Sequence, residues 1–510
     1  MSELKVQMGK GEYWYGLCVN QGTKFPLHED SVYSGSFTVN LTGNQESPLL
    51  LSSQGRYIWS DSGYDLQAEK GVLTIANAQP DIQLYEGFST LRGAFLEASR
   101  RHFPANGQIP PKNFFVKPQY NTWVELIYDQ NQKDVLEYAR NILKHGLPAG
   151  ILMIDDNWNC YYGGWRFNAA TFPDPKAMVD ELHAMGFEVM LWTCPFISPD
   201  SAEFRLLRDK GCLVKDASGQ PAIKSWWNGY SAVLDLTNPQ AMEWYDAQNR
   251  RLMEDYGIDG FKFDAGDASF YSPDDVTYAP VTPNQHCELW ARMGLRYPYN
   301  EYRACCKAAG LPLVQRLCDK AHSWGDNGVA ALLPNALAQG ILGYAFGCPD
   351  MIGGGSFVDF LPGAPSLDQE LFVRYAQCAA LMPMMQYSAA PWRVLSEENA
   401  QYCIEAGELH LKFSEYIYSY ACQAAQTCEP VIRYMEYQFP GQGMEAVTSQ
   451  FMVGEKLLAA PVFRKGQTTK RVKLPAGRWE YRDGTIYDGG VDVEVAAPLD
   501  TLPYFVRLDG

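Results

Sequence analysis

In the run GFKFDAGD, Lys262 and Asp264 stand two residues apart. On a strand, both side chains leave the same face. An ammonium beside a carboxylate keeps it ionised and oriented, with a lowered pKa. A carboxylate held this way is a candidate nucleophile. The same pair could also be an ion pair filling a barrel core, and the pattern alone leaves both accounts standing. A second candidate lies in AHSWGDNG, where Trp324 and Gly325 precede Asp326. An indole that keeps water from the carboxyl would raise its pKa, as a general acid requires. Gly-Asp-Asn-Gly is also ordinary turn chemistry, and taken alone this segment is more simply a turn. Together the two carboxyls suit glycosidic cleavage, where one attacks the anomeric carbon or activates water and the other protonates the departing oxygen.

Further polar residues follow apolar runs. ILMI ends in Asp155, Asp156, Asn157 and Trp158, VMLW brings Trp192 to a strand end, GFKF leads to Asp264 and Asp267, and LGYAFGCP ends in Asp350. A carboxylate at a buried strand end is costly unless something pairs or uses it. A single one is commonly a helix cap, but recurrence at several strand ends fits a barrel, whose active site gathers at the C-terminal ends of its strands.

The elements that would position these residues read as three units. Residues 1–112 show short alternating runs such as SGSFTVNLTG, separated by Gly, Asn and Ser, which predicts an antiparallel β-sandwich. Residues 113–428 alternate apolar runs with amphipathic helices: NTWVELIYD, AGILMIDDNW, FEVMLWTCPF and IDGFKF, then LPLVQRL, ILGYAFGCPD and ALMPMMQYS. This predicts an α/β (β/α)8 TIM barrel. A doubly wound sheet is the alternative, but no GxGxxG follows the first strand. Residues 429–510 return to a β rhythm and predict a small C-terminal β domain.

Composition narrows the partners. The chain has 42 Lys+Arg against 59 Asp+Glu, a net charge of −17, which disfavours nucleic acid and acidic membranes and is indifferent to a small neutral carbohydrate. The 13 Cys are scattered without a disulfide or zinc spacing. With no signal-like start and no apolar run long enough for a bilayer, a cytoplasmic protein is expected. Only 7 His are present, none in HxH or HExxH, so no metal and no organic cofactor is expected.

On the order of these segments the chain resembles glycoside hydrolase family 31 from about Lys117 to the C-terminus. The resemblance implies that Asp264 is the nucleophile of a retaining α-glycosidase and Asp326 its acid/base. It implies that Asp155 and Asp156 bind sugar hydroxyls, and that Trp192, Lys262, Arg316 and Trp324 line the pocket. Asp350, in GCPDMIGGG, matches a family aspartate near the sugar, and Arg374, in LFVRYAQCAALMPMMQ, a family arginine, and the resemblance implies that both are substrate-binding. Asp267 stands where many members carry glutamate; the shorter acid alters the reach toward the sugar or toward Arg or Lys neighbours, and Asp267 is expected among the substrate-binding residues. KPQYNTWVELIYDQ, GILMIDDNW and FKFDAGD are most similar to a branch containing bacterial α-galactosidases and the myogenesis-regulating glycosidase, which implies α-galactoside cleavage. α-Glucosidase, α-xylosidase, sulfoquinovosidase and α-transglycosylase activities, and an inactive sugar-binding protein, are the alternatives. Many members are longer, so a pocket wall supplied by a second subunit of a homo-oligomer is also expected to be open to this chain.

Overall fold

Short buried runs alternate with helices between Gln119 and Tyr387, and in the computed structural model they close into a barrel. The structure describes residues 2–361, 364 and 367–509. The barrel strands are β1 (Gln119–Asn121), β2 (Ile151–Ile154), β3 (Glu188–Thr193), β4 (Gly260–Phe263), β5 (Tyr299–Tyr302), β6 (Gln315–Arg316), β7 (Gly347–Cys348) and β8 (Gln386–Tyr387). Each pairs in parallel with the next in sequence as far as β7, and β8 returns to β1. Among the described residues no ladder joins β7 to β8, so the ring is nearly closed.

Register carries the chemistry. Trp192 of β3 lies beside Lys262 of β4, and Lys262 lies beside Glu301 of β5. Parallel neighbours in register face the same way, so these three side chains form one row inside the barrel. The helix before β4 (Pro239–Tyr256) starts on an Asn238 cap that accepts from the Gln240 amide at 2.9 Å. It stops at Gly257, whose φ of 83° only glycine adopts freely, and β4 begins three residues later. Between β3 and that helix, the hairpin Ile223–Trp226 and Gly229–Val233 pairs with Phe196–Ile197 above the barrel mouth.

The N-terminal region forms two antiparallel sheets with their own apolar cluster around Trp14, Leu50 and Tyr64. Its strand Gln45–Ser52 also takes up Cys305–Cys306 in parallel, just after β5, so the loop before that strand reaches the barrel mouth. The C-terminal region is a six-stranded sheet with a two-stranded ribbon around Trp479 and Phe505.

Three sequence expectations change. Leu91–His102, read as β, is a helix whose Leu91, Phe95 and Ala98 are buried on one face. The run NTWVELIYD is not the first barrel strand. That strand is Gln119–Asn121, and Trp123–Leu126 is already a helical turn. Strand β5 escaped because its sequence, YNEY, buries Asn300 and Glu301 instead of apolar residues. Among the described residues no helix is long and apolar enough to cross a membrane. The 13 cysteines are free thiols.

Candidate active site

A cavity of about 610 Å³ opens at the C-terminal ends of the strands, with Asp264 in its wall. Asp264 follows β4 directly and is fixed by three donors. Its Oδ1 accepts from Arg303 Nε at 3.1 Å and from the Ala265 amide at 2.8 Å. Its Oδ2 accepts from the Trp192 indole at 3.0 Å. Burial alone would push this carboxyl up. The charges of Arg303, Lys262 and Arg316, with the indole, outweigh burial and hold it well below the usual carboxylate range. Asp264 is therefore a desolvated anion inside a sugar-sized cavity, which is what a nucleophile needs.

Sequence reasoning gave the cation beside Asp264 as Lys262. The structure corrects this. Lys262 Nζ donates to Asp155 Oδ2 at 2.6 Å and acts on Asp264 through its charge. The hydrogen-bonded cation is Arg303, which the sequence reading missed. Arg303 also grips Asp267 with both terminal nitrogens, at 2.9 and 2.7 Å, and donates to the Gly43 carbonyl of the N-terminal region at 2.8 Å. Asp267, expected among the sugar contacts, is thus a buried anchor for Arg303, and burial raises its pKa against the pull of that charge. The signal that could have revealed Arg303 was its place one residue after β5, but β5 itself was hidden.

Asp155 and Asp156 both line the cavity at the end of β2. Asp155 is paired to Lys262 and accepts the Asp156 amide at 2.9 Å. Asp156 Oδ2 accepts from Asn228 at 2.7 Å and from the Tyr162 hydroxyl at 3.1 Å. Burial and the charge of Asp155 push Asp156 up to about 7, so near neutrality it can donate as well as accept a hydrogen bond. Arg316 also lines the cavity, buried, bridging Asp319 at 3.0 Å and Asp350. Asp350 is fully buried behind it, where it accepts the Lys320 and Gly355 amides at 2.6 and 2.8 Å. It positions Arg316 and the loop, and does not itself line the cavity.

Two expectations are not met at the acid/base segment. Asn327 lines the cavity, while the Asp326 carboxylate is 71% exposed and faces Lys24 Nζ at 3.7 Å. The Trp324 indole does not cover Asp326. It donates to Asp368 at 2.9 Å, because that carboxylate sits at the start of the helix Gln369–Ala380 and offers a fixed acceptor. Asp319, unmentioned in the sequence reading, is in the cavity wall. Arg374 lies elsewhere. It is buried and donates to four carbonyls around the C-terminal region, including Ala497 at 2.7 Å. It joins the barrel to the C-terminal region and does not line the cavity. Among the described residues no three His, Cys, Asp or Glu side chains are grouped to hold a metal ion.

Residues 117–420 match the TIM-barrel domain of glycosyl hydrolases family 31, and residues 428–509 match that family's C-terminal domain. The chain belongs to glycosyl hydrolase family 31. Its family 31 relatives include the mouse myogenesis-regulating glycosidase, 33% identical over 427 residues, covering 80% of this chain and 58% of that one. An α-xylosidase of Lactiplantibacillus pentosus is 26% identical, covering 91% of this chain and 64% of its own. The chain therefore spans less than two thirds of the length of these relatives. Among solved structures, a family 31 α-xylosidase from a soil metagenome, complexed with xylose, superposes with a TM-score of 0.85 at 22% identity, covering 100% of this chain and 79% of that one. A Flavobacterium johnsoniae family 31 dextranase complexed with glucose gives 0.86 at 22% identity, covering 99% and 66%.

Proposed function

We propose that the protein is a retaining exo-α-glycosidase acting by double displacement on a small neutral carbohydrate. One observation carries this reading: Asp264 is buried in the cavity yet kept anionic by Arg303, Lys262 and Arg316. Oδ1 already accepts two donors and Oδ2 one, so Oδ2 is the attacking oxygen. It forms a bond to the anomeric carbon as the bond to the leaving oxygen breaks, and a carboxylic acid gives its proton to that oxygen. The same group, now a base, takes a proton from water, whose oxygen displaces Asp264 and restores the α configuration.

We assign the acid/base to Asp326, in keeping with the family. Its carboxylate faces outward toward Lys24, so the turn from 321 to 328 must swing it inward past Asn327 when substrate binds. A second reading assigns it to Asp319, whose side chain already lines the cavity and is paired to Arg316 at 3.0 Å. Asp326→Ala and Asp319→Ala separate the two. Loss of the acid/base cuts rates on substrates with poor leaving groups far more than on aryl substrates with acidic phenols, and azide restores turnover of the latter. If Asp319→Ala alone shows that signature, Asp326 is not the acid/base.

For the sugar we favour α-galactose. The support is the resemblance of the barrel segments to α-galactosidases and the adjacent carboxyls Asp155 and Asp156, which offer paired acceptors to hydroxyls at the fourth and sixth carbons. The test is a screen of nitrophenyl α-galactoside, α-glucoside, α-xyloside and α-sulfoquinovoside, with the first-released anomer followed by NMR. Galactoside should be cleaved fastest and should yield the α-anomer first. A different preferred sugar overturns galactose alone. First release of the β-anomer, or turnover by Asp264→Asn, overturns the mechanism.

A further inference from the structure

The cavity changes character with depth. Its floor is charged, built from the buried Asp155, Lys262 and Arg316 and from Asp264, whose side chain keeps 12% exposure. Its mouth is aromatic and open. Trp227 is 48% exposed there, Tyr128 42% and Val358 53%. An indole left half in water at a cavity mouth forgoes burial that the fold could have given it.

Trp227 is nevertheless fixed. It occupies the two-residue turn of the hairpin, between the paired residues Trp226 and Gly229. The Arg303 guanidinium lies over its ring at 5.6 Å, and Trp226 and Phe270 pack on it at 5.1 and 5.7 Å. Its turn partner Asn228 braces the structure in three directions. Its Nδ2 donates to Asp156 at 2.7 Å and to the Tyr162 hydroxyl at 2.6 Å, and its Oδ1 accepts from the Tyr128 hydroxyl at 3.4 Å. One turn therefore joins the cavity carboxyl of Asp156 to Tyr162 and to Tyr128 at the mouth.

We propose that the Trp227–Asn228 turn is the leaving-group recognition element, and that it selects α-glycosides whose leaving group carries a ring with an apolar face over those with a small leaving group. This rests on the glycosidase reading above. A sugar held by the floor points its leaving group outward, where the half-exposed indole is the platform within reach. A second pyranose and an aryl ring share the apolar face that an indole stacks on, so both are ligands of this kind. Because Asn228 fixes the turn to Asp156, the platform is preorganised and stacking costs little ordering.

The experiment compares kcat/KM for three substrates of one glycone: the α-glycosyl fluoride, the nitrophenyl α-glycoside and an α-linked disaccharide. Wild type, Trp227→Ala and Trp227→Phe are measured side by side. The expected result is that Trp227→Ala lowers the ratio of ring-bearing substrate to fluoride about three- to tenfold, mainly through KM, as loss of one stacking contact implies. Trp227→Phe should keep most of the ratio, which excludes misfolding as the cause. A fall for the aryl substrate alone, or for the disaccharide alone, identifies which ring is the ligand. An unchanged ratio, including equal losses on all three substrates, overturns the proposal. If wild type cleaves no fluoride, the glycosidase reading fails, and the platform is then judged on disaccharide affinity in the same variants by calorimetry. Equal affinity in wild type and Trp227→Ala would end it.

Discussion

At the scale of the residue, the decisive fact is that a buried carboxylate stays ionised only because its neighbours outweigh burial. Arg303 is the largest of those neighbours at Asp264. Arg303→Gln must therefore raise the pKa of Asp264. A nucleophile works ionised, so rate is lost as pH falls through that pKa, and the acid limb of kcat/KM moves to higher pH in the variant. Asp267 loses its partner at the same time, and breaking a buried pair costs about 3–5 kcal/mol, so the melting temperature falls too. A pH–rate profile checks the first point, and an acid limb that stays in place with normal kcat would contradict it. Asp156 titrates in the opposite sense. Its folded pKa, about 7, lies above the ordinary value of roughly 3.9. Such a group stabilises the fold fully below its ordinary pKa, and that contribution is lost as pH rises through about 7. Asp156→Asn removes this dependence. Relative to wild type, the variant's melting temperature should therefore gain between about pH 4 and pH 8. Parallel melting curves at both ends of that window decide it.

At the scale of the element, the hairpin above the mouth is held at its base by Lys224, whose Nζ meets both Asp275 oxygens at 2.6 and 2.8 Å with little exposure on either side chain. Asp275→Asn weakens a charge-assisted pair worth about 1.5–3 kcal/mol. Amide exchange across 223–233 should quicken, and KM should rise more than kcat falls, because the hairpin carries Trp227 and Asn228 but none of the reacting groups. Equal exchange in both proteins would show that the hairpin is held elsewhere. Elements of this kind were only partly legible in the sequence. Strand β2 is a continuous apolar run, β3 carries one after Glu188, and β4 is interrupted only by Lys262, so their ends, and with them Asp155, Asp156, Trp192 and Asp264, could be read directly. Strand β5 could not. Asn300 is buried because it donates to the Tyr297 carbonyl at 3.0 Å and accepts the Val314 amide at 3.1 Å, and Glu301 because it accepts from Gln386 at 2.8 Å. Buried polar residues, Asn300 bonded locally and Glu301 to Gln386 across the barrel, leave no hydrophobic period, so Arg303 was lost with its strand. The facing of Asp326 was illegible for another reason. A Gly-Asp-Asn-Gly turn fixes which residues are at the surface, and only its packing decides whether Asp326 or Asn327 faces the cavity.

At the scale of the whole molecule, the site is finished by regions outside the barrel. The N-terminal region supplies the Gly43 carbonyl to Arg303, and Asn44 accepts the Cys318 amide at 2.8 Å in the cavity wall. Its segment Val19–Lys24, which carries Lys24 to Asp326, runs so close to the helix Val329–Ile341 that a Cβ on Gly22 would stand 2.4 Å from the Pro334 carbonyl. On the other side, Arg374 joins the barrel to the C-terminal region. It donates to the carbonyls of Gln467, Ala497, Pro498 and Thr501, and Gln377 beside it donates to the Leu499 carbonyl at 2.6 Å. The family resemblance suggested a sugar contact for Arg374, and the two roles predict different losses. As a clamp, Arg374→Ala leaves several acceptors short of a donor, each costing about 1–3 kcal/mol before water relieves some of them, so a loss of roughly 3 kcal/mol or more is expected. The C-terminal β region should then melt ahead of the barrel, since its docking is what has been weakened, and two transitions should replace one in calorimetry. KM for a cleaved glycoside should stay within about twofold at temperatures where the chain is folded, because the cavity does not include this residue. A rise in KM of about tenfold with unchanged melting would reverse the assignment and return Arg374 to the sugar.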